Sequence, residues 1–339
     1  MTVSVNLDHS SESVIQLGVV IPVYNEAACL RTLHERLTTV LRSLNLEWQI
    51  VYVNDGSTDD SGRILTELGF GDERVSVIEL SRNFGKEASM TAGLDMVSAE
   101  AVVIMDADLQ HPPEVIAEFV TLWRAGADVV VGKRRDRAYD QLWKRVGARF
   151  FYTLLSGHAN IDIPRDVGDF RLMSKPAVLS LRRLRESHRF MKGLFAWIGF
   201  DSHVVEYDCL ERESGQSKWG LPKMFNLALE GLTSFSIRPL RIASVIGALT
   251  ASLSLVYGLW ITLRTMFFGD PVPGYPSLMV MILFLGGLQL LALGIIGEYV
   301  GRTFDESKDR PVYVVRGVIN PQHLLDVEPI APPARRNNR

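Results

Sequence analysis

The sequence predicts an α/β domain built on a mostly parallel sheet, followed by two C-terminal transmembrane helices. Three observations carry this. Short apolar runs alternate with helical stretches over about 130 residues from Leu17, the pattern of successive βαβ units. Two long segments near the C-terminus, 242–263 and 278–296, contain no charged residue. Polar, acid-bearing tripeptides stand where the apolar runs end.

The runs can be taken in order. LGVVIPV at 17–23 reads as a buried strand. A helix is expected over 26–44, where Leu30, Leu33, Leu37, Val40, Leu41 and Leu44 recur at helical spacing. WQIVYV at 48–53 is a second strand, ended by the turn signal Asn54-Asp55-Gly56. Ser57 or Thr58 would cap a helix over 59–68. A third strand at 75–80, a helix at 86–97, a fourth strand AVVIM at 101–105, a helix opened by Pro112 and a fifth strand DVVV at 128–131 complete the pattern. Ligands in such sheets bind beyond the C-terminal strand ends. That rule points to Tyr24-Asn25-Glu26, Asp55, Ser81-Arg82-Asn83 and Asp106-Ala107-Asp108.

The 339 residues suffice for one large domain or two modest ones, and 47% hydrophobic with 22% charged residues excludes disorder of the whole chain. A net charge of −3 argues against a nucleic-acid partner. Cys29 and Cys209 lack the spacing of a zinc site or a disulfide framework and read as reduced thiols. The polar start, MTVSVNLDHSSES, has neither the basic region nor the apolar run of a signal peptide. Residues 1–14 are therefore expected to be disordered, and 15–236 to form a cytoplasmic domain.

Segments 242–263 and 278–296 each meet the roughly 20-residue requirement for spanning a bilayer. Together they make a hairpin over 237–300, with a turn-rich link at 264–277. Arg238 and Arg241 precede the first span; Arg302, Lys308 and Arg310 follow the second; the link holds one Arg and one Asp. The positive-inside rule then puts both termini in the cytoplasm, in a multi-pass protein of the cell inner (plasma) membrane. Stretches 139–155 and 221–235 are amphipathic and basic, fitting either helices in the headgroup layer or helices packed on their own domain. Residues 301–339 are expected to form a cytoplasmic tail, disordered after Val318.

The chemistry gathers at Asp106-Ala107-Asp108. Alternate strand residues face the same way, so both carboxylates can enter one site and hold a hard divalent cation, Mg²⁺ or Mn²⁺, against a diphosphate. Ser81-Arg82-Asn83-Phe84-Gly85-Lys86 supplies cations after the third strand.

VVIPVYNE at 19–26, VNDGSTD at 53–59, SRNFGKEASMTAGLD at 81–95, MDADLQHPPE at 105–114, VGDFRLM at 167–173, ERESGQSKWG at 211–220 and GEYVGR at 297–302 together resemble the family 2 glycosyltransferases of GT-A fold, in their polyprenyl-phosphate branch. The resemblance implies inverting transfer of a hexose, glucose first, from a nucleotide-sugar, preferably a UDP-sugar, to undecaprenyl phosphate. It implies a nucleotide-sugar pocket of Pro22, Tyr24, Glu26, Asp55, Lys86 and Asp106, with Asp106 and Asp108 as metal ligands. Asp169 would be the catalytic carboxylate with Asp106 beside it, and Arg212, Ser217 and Lys218 would hold the acceptor phosphate. A phosphomonoester is largely a dianion at neutral pH, so Asp169 acts either as a base or as an orienting and electrostatic group. The implied partners are the donor, the lipid acceptor and the membrane; assembly as a homo-oligomer stays open. The rivals are a processive polysaccharide synthase, whose Gln-x-x-Arg-Trp motif is replaced here by Ser187-His188-Arg189-Phe190-Met191-Lys192, and a flippase or scaffold.

Overall fold

The computed structural model describes residues 14–135, 167–186, 189–208, 238–268 and 274–325. The chain divides into two units, 1–220 with 311–339, and 221–310.

The first unit is an eight-stranded sheet: β1 (Leu17–Val23), β2 (Trp48–Asn54), β3 (Val75–Leu80), β4 (Ala101–Ile104), β5 (Val129–Arg134), β6 (Val167–Ser174), β7 (Ser202–Tyr207) and β8 (Val315–Ile319). Its order is β7-β5-β6-β4-β1-β2-β3-β8. The β1–β2, β1–β4, β2–β3 and β5–β7 pairs are parallel, whereas β6 runs antiparallel to β4 and β5. The helices are α1 (Leu30–Ser43), α2 (Ser61–Gly71), α3 (Lys86–Met96), α4 (Ile116–Arg124), α5 (Lys175–Arg182) and α6 (Met191–Trp197). β1 and β2 are buried along their whole length, as strands covered on both faces must be. The Leu30, Leu33, Leu37 and Leu41 stripe of α1 packs into the core. α3 lies so close to β1 that a Cβ at Gly93 would stand 2.3 Å from Val20 Cγ1.

Several boundaries differ from the sequence reading, each for a local reason. α1 begins at Leu30 because Asn25 turns the chain with φ 55°. No hydroxyl caps α2; Asp59 instead accepts from the Ser61 N–H at 3.0 Å. A 3₁₀ turn, Pro113–Val115, precedes α4. The expected tail is the largest departure. Val315–Ile319 pairs antiparallel with β3, so the chain beyond Val318 continues a strand rather than loosening. Asn320 then donates to the Val75 carbonyl at 3.0 Å and to the Gly69 carbonyl, closing the sheet edge. The expected disorder of 1–13, the stretches 139–155 and 221–235 and the tail beyond Leu325 lie outside the described residues.

The second unit holds two long helices that pack on each other, α7 (Arg238–Phe268) and α8 (Tyr275–Ser307). Both outrun the apolar segments read from sequence, and the expected link is shorter because Arg264 to Phe268 continue α7. Their apolar side chains face outward: Leu253 is 70% and Leu290 71% exposed. Among the described residues, the stretch Phe284–Ser307, which contains 18 residues of mean hydropathy 1.5, is long and apolar enough to cross a bilayer.

Candidate active site

The loops after β1 and β2 are laced together. Asn25 N–H donates to Ser57 Oγ (3.1 Å), Glu26 N–H to Ser61 Oγ (3.0 Å) and Thr58 N–H to Asn25 Oδ1 (2.8 Å). Within this lacing Pro22 is buried at the end of β1, Glu26 is half-buried and the Tyr24 ring is 44% exposed.

Asp55 is buried and faces the loop after β3. Its Oδ1 accepts from Phe84 N–H at 2.7 Å and its Oδ2 from Gly85 N–H at 2.9 Å. Burial raises its pKa against the pull of these hydrogen bonds. The two loops meet so tightly at Gly56, where φ is +64°, that a Cβ would stand 2.6 Å from the Arg82 carbonyl carbon.

The same loop delivers Lys86 at the start of α3. Its Nζ is 2.6 Å from Asp106 Oδ1 after β4 and 2.6 Å from Asp169 Oδ2 on β6. Burial disfavours the ammonium, but the two carboxylates prevail and hold its pKa above the ordinary lysine range. Burial likewise opposes the Asp169 charge; Lys86, Lys192 and Arg171 overcome it and bring that carboxyl down to about 2. Asp169 Oδ1 is buried without a hydrogen-bond partner among the described residues.

Asp106 and Asp108 sit on a turn forced through Leu109, whose φ of 60° is unusual for a branched side chain. Asp108 Oδ1 accepts from Gln110 N–H at 3.1 Å. No three His, Cys, Asp or Glu side chains converge on a metal-sized site among the described residues. The Asp106 and Asp108 oxygens nevertheless suit a hard cation of the kind that takes one or two carboxylates and completes its shell with phosphate oxygens.

Four further residues shape the site; three of them, Glu87, His111 and Arg171, lie in the motifs quoted above but were given no role from the sequence. His111 is buried, stacks on Phe170 at 5.0 Å and accepts the Asp106 N–H on Nδ1 at 3.3 Å. Burial lowers its pKa, so its neutral form supports the turn. Glu87 accepts from Met191 N–H at 3.1 Å, and burial beside Asp169 pushes its carboxyl up to about 7. Arg171 is buried, donates to the Gly168 carbonyl at 2.8 Å and lies 3.7 Å over the Phe195 ring. Arg134 donates to Gln110 Oε1 at 3.0 Å. The structure thus joins Lys86, Asp106 and Asp169 directly and places Asp55 behind their loop. Arg212, Ser217 and Lys218 lie outside the described residues.

Residues 18–181 match Glycosyl transferase family 2, and 238–303 match the GtrB C-terminal hairpin. The bactoprenol glucosyl transferase of Shigella phage SfV is 45% identical over 302 residues, covering 89% of this chain and 98% of that protein. A prophage bactoprenol glucosyl transferase homolog of Escherichia coli K12 is 43% identical over 304 residues, covering 90% and 99%. An uncharacterized glycosyltransferase of Synechocystis is 44% identical over 310 residues, covering 91% and 98%. The chain belongs to the family 2 glycosyltransferases, in the branch that carries the GtrB hairpin, and its GT-A-like sheet is that of a glycosyltransferase.

Proposed function

We propose that this enzyme transfers a hexose, glucose in the first instance, from a UDP-sugar to undecaprenyl phosphate at the cytoplasmic face of the membrane, with inversion. The observation that carries the reading is Lys86 Nζ at 2.6 Å from both Asp106 and Asp169, which gathers two strand-end carboxylates and a cation at one point. The relatives named for bactoprenol and the apolar hairpin support the lipid acceptor.

Each residue then has a task. Pro22, Tyr24, Glu26 and Asp55 line the nucleotide pocket. Asp55 has spare lone pairs for the ribose or base while it holds the Phe84–Gly85 backbone. The Lys86 ammonium offsets charge on the departing diphosphate. Asp106 and Asp108 would hold Mg²⁺ or Mn²⁺, which supplies Lewis-acid stabilisation of that leaving group. A carboxyl with a pKa of about 2 is a weak base, and an acceptor phosphate that is already a dianion needs none. Asp169 therefore acts electrostatically: its open Oδ1 faces positive charge developing on the sugar ring or orients a sugar hydroxyl. Arg212, Ser217 and Lys218 take the acceptor phosphate as fixed donors.

The test is incubation of the purified full-length protein with undecaprenyl phosphate, a divalent cation and a panel of UDP- and GDP-sugars, with lipid products identified by mass. A single lipid-phosphate hexose from a UDP-sugar is expected. A growing polymer would favour a processive synthase, and intact donor and lipid would overturn the reading.

A further inference from the structure

The chain beyond the hairpin touches both ends of one short stretch, Ser81 to Val97, which contains the catalytic-site loop and α3. At its front, Ser81 N–H donates to the Val314 carbonyl at 2.8 Å, and Arg316 Nη2 donates to the Ser81 carbonyl at 3.2 Å. Leu80 pairs with Val315 just after a register shift, so β8 bends the chain where β3 gives way to the loop. At its back, Tyr313 Oη donates to Asp95 Oδ2 at 3.0 Å, and the same oxygen lies 2.6 Å from Arg185 Nη1. Leu325 N–H donates to the Met96 carbonyl at 2.7 Å, and Leu324 bridges Val97. Between these grips, α3 buries every residue from Ala88 to Met96. A rigid helix held at its C-terminal end and at the loop before it can present its first side chain in one place. That side chain is Lys86.

We propose that residues 313–325 are a positioning strap for Lys86, fixing α3 and the Ser81–Gly85 loop so that the ammonium falls between Asp106 and Asp169. A plain edge strand would stabilise the sheet through β3 alone. The Tyr313–Asp95 and Leu325–Met96 contacts lie on the far side of α3 from that edge pairing in sequence, and they serve the helix. The strap also follows the hairpin directly, so the chain that leaves the apolar unit returns onto the helix carrying the site lysine. The kinetic consequence rests on the donor-side reading of Lys86 given above; the placement itself does not.

The test uses the full-length protein with Arg316→Ala, Tyr313→Phe and their combination. Two quantities are read well below the melting temperature. One is the acylation rate of the Lys86 amine by an amine-reactive reagent, followed by peptide mass spectrometry. The other is the kcat and donor KM of sugar transfer. An amine held in hydrogen bonds between two carboxylates is screened from the reagent and reacts slowly. Releasing it should speed acylation by about threefold to tenfold and lower kcat/KM for the donor by a similar factor, the size expected for one lost hydrogen bond. Arg316→Lys should restore most of both values. Arg316 is exposed, so its variants test the idea even if Tyr313→Phe fails to fold. Variants that melt lower but keep wild-type Lys86 acylation, kcat and donor KM would overturn the proposal and leave an ordinary edge strand. If the wild-type enzyme transfers no sugar to undecaprenyl phosphate, the proposed reaction fails while the acylation measurement still decides the strap.

Discussion

Lys86 resolves a conflict between two carboxylates. Asp106 and Asp169 arrive from different strands, and the ammonium 2.6 Å from each offsets their mutual repulsion. Asp169→Asn keeps the shape and removes the charge, so kcat should fall by roughly tenfold to a hundredfold, the value of one charged contact, with donor KM little changed. Steady-state kinetics decides it: a raised donor KM at unchanged kcat would move Asp169 into donor binding. Glu87, on the same helix as Lys86, is shifted in the opposite direction to Asp169. Burial, with Asp169 nearby, raises its carboxyl from 4.5 to about 7, so the folded state holds its proton more tightly than the unfolded chain does. The stability this contributes is complete below the unfolded value near 4.5 and is lost as pH rises through about 7. At about 1.4 kcal/mol per unit, the loss across that window is of order 3 kcal/mol. Glu87→Gln can still accept from Met191 N–H but cannot titrate. Its denaturation midpoint should therefore vary less between those two pH values and exceed that of the wild type above neutrality. Equal pH slopes for the two proteins would show that Glu87 is not the group responsible. Asp169 behaves conversely: its contribution is present above the unfolded value near 3.8 and is lost only as pH falls toward about 2, so the two windows separate.

At the scale of elements, the site depends on loops that touch rather than on strands that pair. Gly56 is the tightest point, with a positive φ and no room for a Cβ against the Arg82–Asn83 backbone. Gly56→Ala combines backbone strain with a displaced loop and should lower stability by about 1–3 kcal/mol and reduce transfer with it. Gly71, at the end of α2, has nothing within 4 Å of an added Cβ, so Gly71→Ala should be neutral or slightly stabilising. Thermal melts and activity of the pair check this, and equal effects would deny the loop contact its importance. The same contrast explains what the sequence made legible. β1 to β4 are largely buried strands and read as short apolar runs, interrupted only at Gln49, Ser76 and Glu79, and the carboxylates after β2 and β4 followed from topology. β6 escaped because Asp169 and Arg171 break its apolar pattern; Asp169 was found through the family motif alone. β7 lies at the sheet's edge, largely exposed, and shows little apolar pattern. β8 is five residues long, carries Arg316 and Gly317, and owes its place to hydrogen bonds with β3 some 240 positions earlier, which no local pattern reports. Glu87 resembles any first-turn helix acid until α6 covers it.

At the scale of the whole molecule, one pairing constrains how the chain meets a membrane. β7, β3 and β8 belong to one sheet, so the chain at Tyr207 and the chain at Val315 must be on the same side of any bilayer. The number of crossings between them is therefore even, and a single span through α8 is ruled out whatever its hydropathy. α7 and α8, with 31 and 33 residues, are about 46 and 50 Å long, well beyond the roughly 30 Å hydrocarbon layer. Their charged ends can then stand in the headgroups on both sides. Arg238, Arg241, Arg302, Lys308 and Arg310 mark one end, with Glu298 paired to Arg302 at 3.1 Å. Trp260, 5.5 Å beneath the Arg264 guanidinium, suits the aromatic belt at the other. Two crossings with that charge bias would place the catalytic unit in the cytoplasm and the link between α7 and α8 outside. Ser277→Cys should accordingly react with an impermeant thiol reagent added from the outer side, and Ser307→Cys only after the cytoplasmic side is opened. Protection of both positions from the outer side would mean that the hairpin lies in the interface without crossing, the other arrangement that an even count permits.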